Sequence, residues 1–386
     1  SVTIGGAPTG PTGATYLWSP ATGLSNASIA NPIANPTITT QYTVLVTSGV
    51  GCTSTDIVDV IVNQNPIADA GADQTICDGF SATIGGSPTG PSGVTFSWSP
   101  IASLSSATIG NPIATPTATT TYTVTITDGN GCTSTDQVEV TVNPSPIVDA
   151  GTDIALCIGG STTIGGSPTG PTGSTYSWSP SVSLNDPTLA NPIASPATTT
   201  TYTVVVTDAN GCTNTDDIIV SINLLPIADA GLDTAICLGS STPFGGSPTG
   251  PTGSTYLWTP NIGLSNSVLS NPIASPTVTT TYSVLVTDAN GCTASDDVVV
   301  NVNPLPVVDA GIDGVVCLND TLQVGGAPTG PSGSVYLWSP AATIVDPTVA
   351  NPLVFPTVNT TYTVIVTDIN GCVNTDDVLV SVNPLP

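Results

Sequence analysis

The chain has 386 residues, of which 26 are Asp or Glu and none is Lys, Arg or His, so its formal charge is −26 and no side chain is cationic. Counterion release from a phosphate backbone and attraction to anionic lipid headgroups are thereby excluded, as are histidine and lysine bases, Ser–His pairs and arginine clamps on phosphate. With 39% hydrophobic and only 7% charged residues, the sequence is too rich in β-branched residues for an acidic disordered chain, and no apolar run is long enough to span a membrane.

An internal repeat organises everything else. Trp18, Trp98, Trp178, Trp258 and Trp338 recur at a period of 80 residues, as do Cys52, Cys132, Cys212, Cys292 and Cys372, and as do Cys77, Cys157, Cys237 and Cys317. Residues 161–180 and 241–260 agree at 16 of 20 positions. The spacing predicts five units: 1–65, which lacks a first strand, then 66–145, 146–225, 226–305 and 306–386. Ser1 opens neither a signal peptide nor a targeting segment, so the expectation is a processed or excerpted piece of something longer.

Within a unit the elements run in a fixed order. The linker, as in Val142-Asn143-Pro144-Ser145-Pro146, is short and proline-rich, which predicts a semi-rigid spacer. An Asp-Ala-Gly-x-Asp run leads into a first strand ending at the early cysteine, Cys157 in the third unit. The loop Pro168-Thr169-Gly170-Pro171-Thr172-Gly173 recurs in every unit as a stiff connection, with a lateral contact between fibres as its sharper reading. Next comes the strand STYSW, whose Tyr176 and Trp178 point one way and which Pro180 ends. In TYTVVVTD the alternation puts Tyr202, Val204 and Val206 on one face, and in DDIIVSIN it does the same for Ile218, Val220 and Ile222. The opposite face of that last strand accepts Asp59, Glu139, Ile219, Val299 and Leu379 at one equivalent position, which marks it as outward. Asn210-Gly211 between the two strands predicts a hairpin, because both residues accept positive φ.

About seven short strands per 80 residues, with a buried Trp on a middle strand, predict an all-β chain: a rod-like tandem array of Ig-like β-sandwich modules. A β-solenoid would show a far shorter repeat. Modules of roughly 35–40 Å would make a rod of about 180 Å.

The run PIVDAGTDIALCIGGSTTIGGSPTGPTGSTYSWSP, followed by NPIASPATTTTYTVVVTDANGCTNTDDIIVSIN, resembles the PKD-like and Ig-like repeats of Bacteroidetes-type secreted surface proteins, among them adhesins tied to gliding motility and type IX secretion. The resemblance covers all five units. It implies export and an extracellular, cell-surface address, and it fixes no ligand. The Trp is followed here by Ser-Pro or Thr-Pro where the PKD pattern has a Gly-Asp-Gly turn, which places the units nearer the Ig-like relatives.

In an exported chain the nine cysteines are expected in disulfides. Cys77 has three candidate partners: Cys132 in its own unit, Cys52 across the linker, and Cys212 in the following unit. Loop-closure entropy gives ~4, ~3.5 and ~5 kcal/mol respectively, too close to decide. In an Ig-like topology Cys77 and Cys132 lie at opposite ends of one module, roughly 25 Å apart, beyond disulfide reach. End-to-end stacking would instead bring Cys77 to Cys212, Cys157 to Cys292 and Cys237 to Cys372. Pairing within a module remains the simpler alternative. With no Lys, isopeptide crosslinks cannot form.

The acidic residues cluster. Asp69 and Asp73, Asp149 and Asp153, Asp229 and Asp233, and Asp309 and Asp313 flank each linker, where tandem extracellular modules bind Ca²⁺ through hard oxygen ligands. Against this, such aspartates also simply set turns and keep a fibre soluble. A paired-carboxylate hydrolase is disfavoured because Asp216 and Asp217 are adjacent on a strand and face opposite ways. The outward threonines Thr199–Thr203 suit a strand, an ice- or sugar-binding array being the alternative, and Asp233-Thr234-Ala235 and Asp320-Thr321-Leu322 resemble O-glycosylation acceptors of the same surface proteins.

The functional expectation is a non-enzymatic structural protein: a rigid, protease-resistant, disulfide-crosslinked extracellular fibre or filament that self-associates. It carries no nucleic-acid partner and no membrane insertion. The alternative is an adhesin segment that binds glycan or surfaces, with Ca²⁺ as a stiffening ion. A first strand donated to the opening unit by a neighbouring subunit would build a polymer directly.

Overall fold

The computed structural model describes residues 1–384, so positions 385 and 386 of the fifth unit lie outside the described residues. Apart from one three-residue 3₁₀ turn at Ala341–Thr343, all regular structure is β. In the third module the strands are β1 (Ile154–Cys157), β2 (Thr162–Thr163), β3 (Thr175–Ser179), β4 (Ile193–Ala194), β5 (Thr200–Thr207) and β6 (Thr213–Asn223). β1, β6, β5 and β3 form one sheet in that order, while β2 and β4 pair as a second layer. Modules two, four and five repeat this arrangement.

The register follows the alternation. Tyr202 faces Ile218 across the β5–β6 pair and Val204 faces Asp216. Because side chains alternate, one face of this pair collects Tyr202, Val204, Val206, Ile218 and Val220, all buried. Trp178 joins them from β3, and Ala150, Ile164 and Ala194 close the core from the other side. β1 and β6 run parallel, with Ile154 opposite Val220 and Cys157 opposite Asn223. A first strand parallel to the last, with the chain crossing between layers, is the arrangement of an Ig-like sandwich.

The structure departs from the sequence reading in two places, the strand count and the position of the Trp-bearing strand, and it places the expected hairpin before β6. Each complete module has six strands, not seven. The Trp-bearing β3 is an edge strand of its sheet, not a middle one; Pro180 ends it after five residues, and the second layer is too short to flank it. In the hairpin before β6, Gly211 alone takes positive φ, at 82°. The turn is closed by Gly211 N–H to the Asp208 carbonyl at 3.1 Å and Asp208 N–H to the Cys212 carbonyl at 2.9 Å. This is a three-residue connection with glycine in the left-handed position, so Asn210 keeps ordinary backbone angles.

Candidate functional site

The module junction carries the chemistry that this chain possesses. On one side, the early cysteine ends β1 and turns: Leu238 N–H donates to the Asn303 carbonyl at 2.8 Å, and Ser240 N–H returns to the Cys237 carbonyl at 2.9 Å. On the other side, the late cysteine follows the Asn-Gly turn. The Asp288 carboxylate accepts from Asn290 N–H at 2.9 Å and from Cys292 N–H at 2.8 Å, which fixes that thiol's backbone. Asp128, Asp208 and Asp368 hold Cys132, Cys212 and Cys372 in the same way. In the first module Ser48 takes over, accepting from Cys52 N–H at 3.1 Å.

These two preorganised ends meet across the junctions. Disulfides join Cys77 to Cys212, Cys157 to Cys292 and Cys237 to Cys372, with Cα separations of 5.5, 5.5 and 5.4 Å and a constant sequence separation of 135. Each links one module to its successor. The late partners Cys212, Cys292 and Cys372 are fully buried. Pairing within a module and across the linker to Cys52 does not occur.

Cys52, Cys132 and Cys317 take no part in these three bridges; none of them has a cysteine at the constant offset of 135 within residues 1–386.

The linker aspartates serve the backbone. Asp149 Oδ1 accepts from Gly151 N–H at 2.8 Å, and Asp153 Oδ1 accepts from Ile219 N–H of β6 at 2.9 Å. Asp69, Asp229 and Asp309 repeat the first bond, and Asp73, Asp233 and Asp313 repeat the second. These residues are not brought into a common ligand shell: among the described residues no group of three or more His, Cys, Asp or Glu converges on one point. The sequence reading missed the role of Asp216, which reaches back to accept from Ala150 N–H at 2.8 Å, as Asp136, Asp296 and Asp376 do for Ala70, Ala230 and Ala310. The signal was available. Asp216 occupies the inward register of β6, two residues before Ile218, where an aspartate needs an internal donor.

The tryptophans are structural anchors. Trp18, Trp98, Trp178, Trp258 and Trp338 are at most 3% exposed, and each indole N–H donates to a carbonyl eleven residues on, from Ile29 to Val349, at 2.9–3.1 Å. The Pro-Thr-Gly loop is half core: Thr169 is 1% exposed and donates to the Gly166 carbonyl, while Pro171, Thr172 and Gly173 are exposed.

The strand order and junction bridges define the chain as a tandem Ig-like β-sandwich protein with covalently joined neighbours. No family model matches the sequence, and no curated protein does. Among solved structures, the chain is similar to the eight N-terminal Ig domains of Down Syndrome Cell Adhesion Molecule, at 13% identity and TM-score 0.35, covering 96% of this chain and 56% of that one. It thus spans little more than half of that structure's length. It is also similar to a three-Ig fragment of titin (12%, TM-score 0.36, 62% of this chain and 98% of that one) and to the insect immune protein hemolin (13%, TM-score 0.25, 83% and 100%).

Proposed function

We propose that the chain is a structural element of an extracellular fibre or filament, of the kind its resemblance to Bacteroidetes-type surface repeats implies, and that it works by reach and durability. One observation carries this reading: three disulfides of identical offset each lock a module to the next. Disulfides persist in oxidising, extracellular surroundings, and a bridge between modules serves mechanical continuity more than the stability of any single module. The composition agrees, since a chain without Lys or Arg offers trypsin-type proteases no cleavage site and one without Met has no thioether to oxidise.

Electron microscopy of purified protein tests the reading. Long, uniform filaments are the expected result. Isolated particles that bind immobilised glycans would overturn it in favour of an adhesin segment.

A further inference from the structure

The acidic residues are segregated within each module. The stretch from β2 through β5, residues 161–207 in the third module, and its counterparts 1–47, 81–127, 241–287 and 321–367 together hold only Asp186 and Asp346. All other carboxylates lie between the hairpin turn before β6 and the turn that follows β1. The two exceptions are engaged locally: Asp186 Oδ1 accepts from Thr188 N–H at 2.9 Å and from its hydroxyl at 2.7 Å, and Asp346 holds Thr348 in the same way.

The β2–β4 layer is built entirely within that uncharged stretch, and its outward face is aliphatic. In β4, Ala194 turns into the core and is fully buried, while Ile193 turns out and is 47% exposed. Ile113, Ile273 and Leu353 stand at the same position of the other bridged modules, 43–49% exposed. Four residues earlier each of these modules sets a second exposed aliphatic side chain, Leu189 in the third. The acidic β6 belongs to the other layer, between β1 and β5. Each module therefore has an acidic side and an aliphatic side. The bridges at the three junctions share one sequence offset and Cα separations of 5.4–5.5 Å, so one relation between neighbours recurs and the aliphatic patches of modules two to five follow one regular line.

We infer that this line is the contact face for a second copy of the chain, packed side by side with its β2–β4 layers against those of the first. Charge selects the face. A chain whose only charged side chains are acidic repels its copy wherever acidic sides meet. With the β2–β4 layers in contact, three layer spacings of about 10 Å hold the β6 strands of the two copies about 30 Å apart, beyond the Debye length of about 8 Å at physiological ionic strength. Period selects the partner. A polypeptide must repeat at the same interval to meet every patch, and a second copy brings the same patch at the same interval. The area suffices, because a stable interface takes about 800 Å² from each partner, or about 200 Å² from each of four modules. Such a contact deepens the fibre reading and rests on it, naming the face through which chains join laterally.

Sedimentation equilibrium of the full 386-residue chain at about 0.15 M salt is the test. Self-association is expected, weakened at least tenfold by Ile193→Asp combined with Ile273→Asp, which sets charge against charge across the contact. Ile193→Thr with Ile273→Thr keeps β-branched strand residues and should give a smaller loss in the same direction, which guards against misfolding of the Asp variant. Ile227→Asp, at an 81% exposed linker position outside the layer, should leave association unchanged. Added salt should strengthen association by screening the residual repulsion, and EDTA should not affect it. A chain that stays monomeric at every concentration overturns the inference. So do equal association of both patch variants, an equal loss with Ile227→Asp, and dissociation by EDTA, which would mean carboxylates bridged by metal. Electron microscopy of the same samples separates the two readings: filaments that persist in the patch variants overturn the lateral contact and leave the fibre standing, whereas pairs that the variants abolish, with no filaments formed, uphold the contact and overturn the fibre.

Discussion

Asp216 shows how a single carboxylate can close a module. It occupies an inward position of β6, and its Oδ2 accepts from Ala150 N–H on the incoming linker. Removing it leaves a half-buried donor unsatisfied, so Asp216→Ala should lower the third module's stability by about 1–3 kcal/mol. Denaturant unfolding of the full chain, followed by amide exchange in residues 146–225, checks the size and location. Asp128 gives the pH dependence. The Cys132 N–H holds its carboxyl below the ordinary aspartate value, with Asn130 and Gly131 adding to this and desolvation opposing it. A value depressed in the folded state means that the ionised group favours folding above the unfolded value, and that this contribution is lost as pH falls through the folded one. NMR should place the Asp128 midpoint below that of Asp in an unfolded peptide, and Asp128→Asn should remove that part of the acid sensitivity.

At the scale of the elements, period-two alternation made β5 and β6 legible, because Tyr202, Val204 and Val206 have to share a face. The edge position of β3 was not legible. It depends on which strands find partners across the module, and two-residue strands such as β2 and β4 leave no periodic trace. Packing defects follow the same logic. Ser174, Ser254 and Ser334 each carry a buried hydroxyl with no hydrogen-bond partner, at a position where the second module has Val94, packed against its core. Replacing all three by Val should stabilise each module by about 1 kcal/mol, visible as a higher melting temperature. Gly165 marks the opposite limit. Its φ of +104° and the Ala190 carbonyl, 2.6 Å from where a Cβ would stand, leave no room for a side chain. Gly165→Ala should cost about 2 kcal/mol or more, measured by the same melts.

At the scale of the whole molecule, the 80-residue repeat was legible from the Trp and Cys spacing alone. The pairing was not, because loop-closure entropies that differ by about 1 kcal/mol decide nothing; only the opposite placement of the two cysteines on each module does. That pairing sets how the chain carries a pull. The shortest covalent route through it crosses from Cys77 to Cys212, follows the backbone for 25 residues to Cys237, and crosses again to Cys372. Those 25 residues already run largely as strand, and they measure only about 85 Å when drawn taut. Residues 78–211 and 238–371 hang beside that route and bear no tension, so their modules can unravel without lengthening the molecule. Stretched between Cys77 and Cys372, the oxidised chain should show none of the steps of about 280 Å that an 80-residue unit releases on unfolding, and reduction should restore them. The bridges thus turn a string of β-sandwich modules into a tether whose length is set by covalent bonds and not by the strength of any fold.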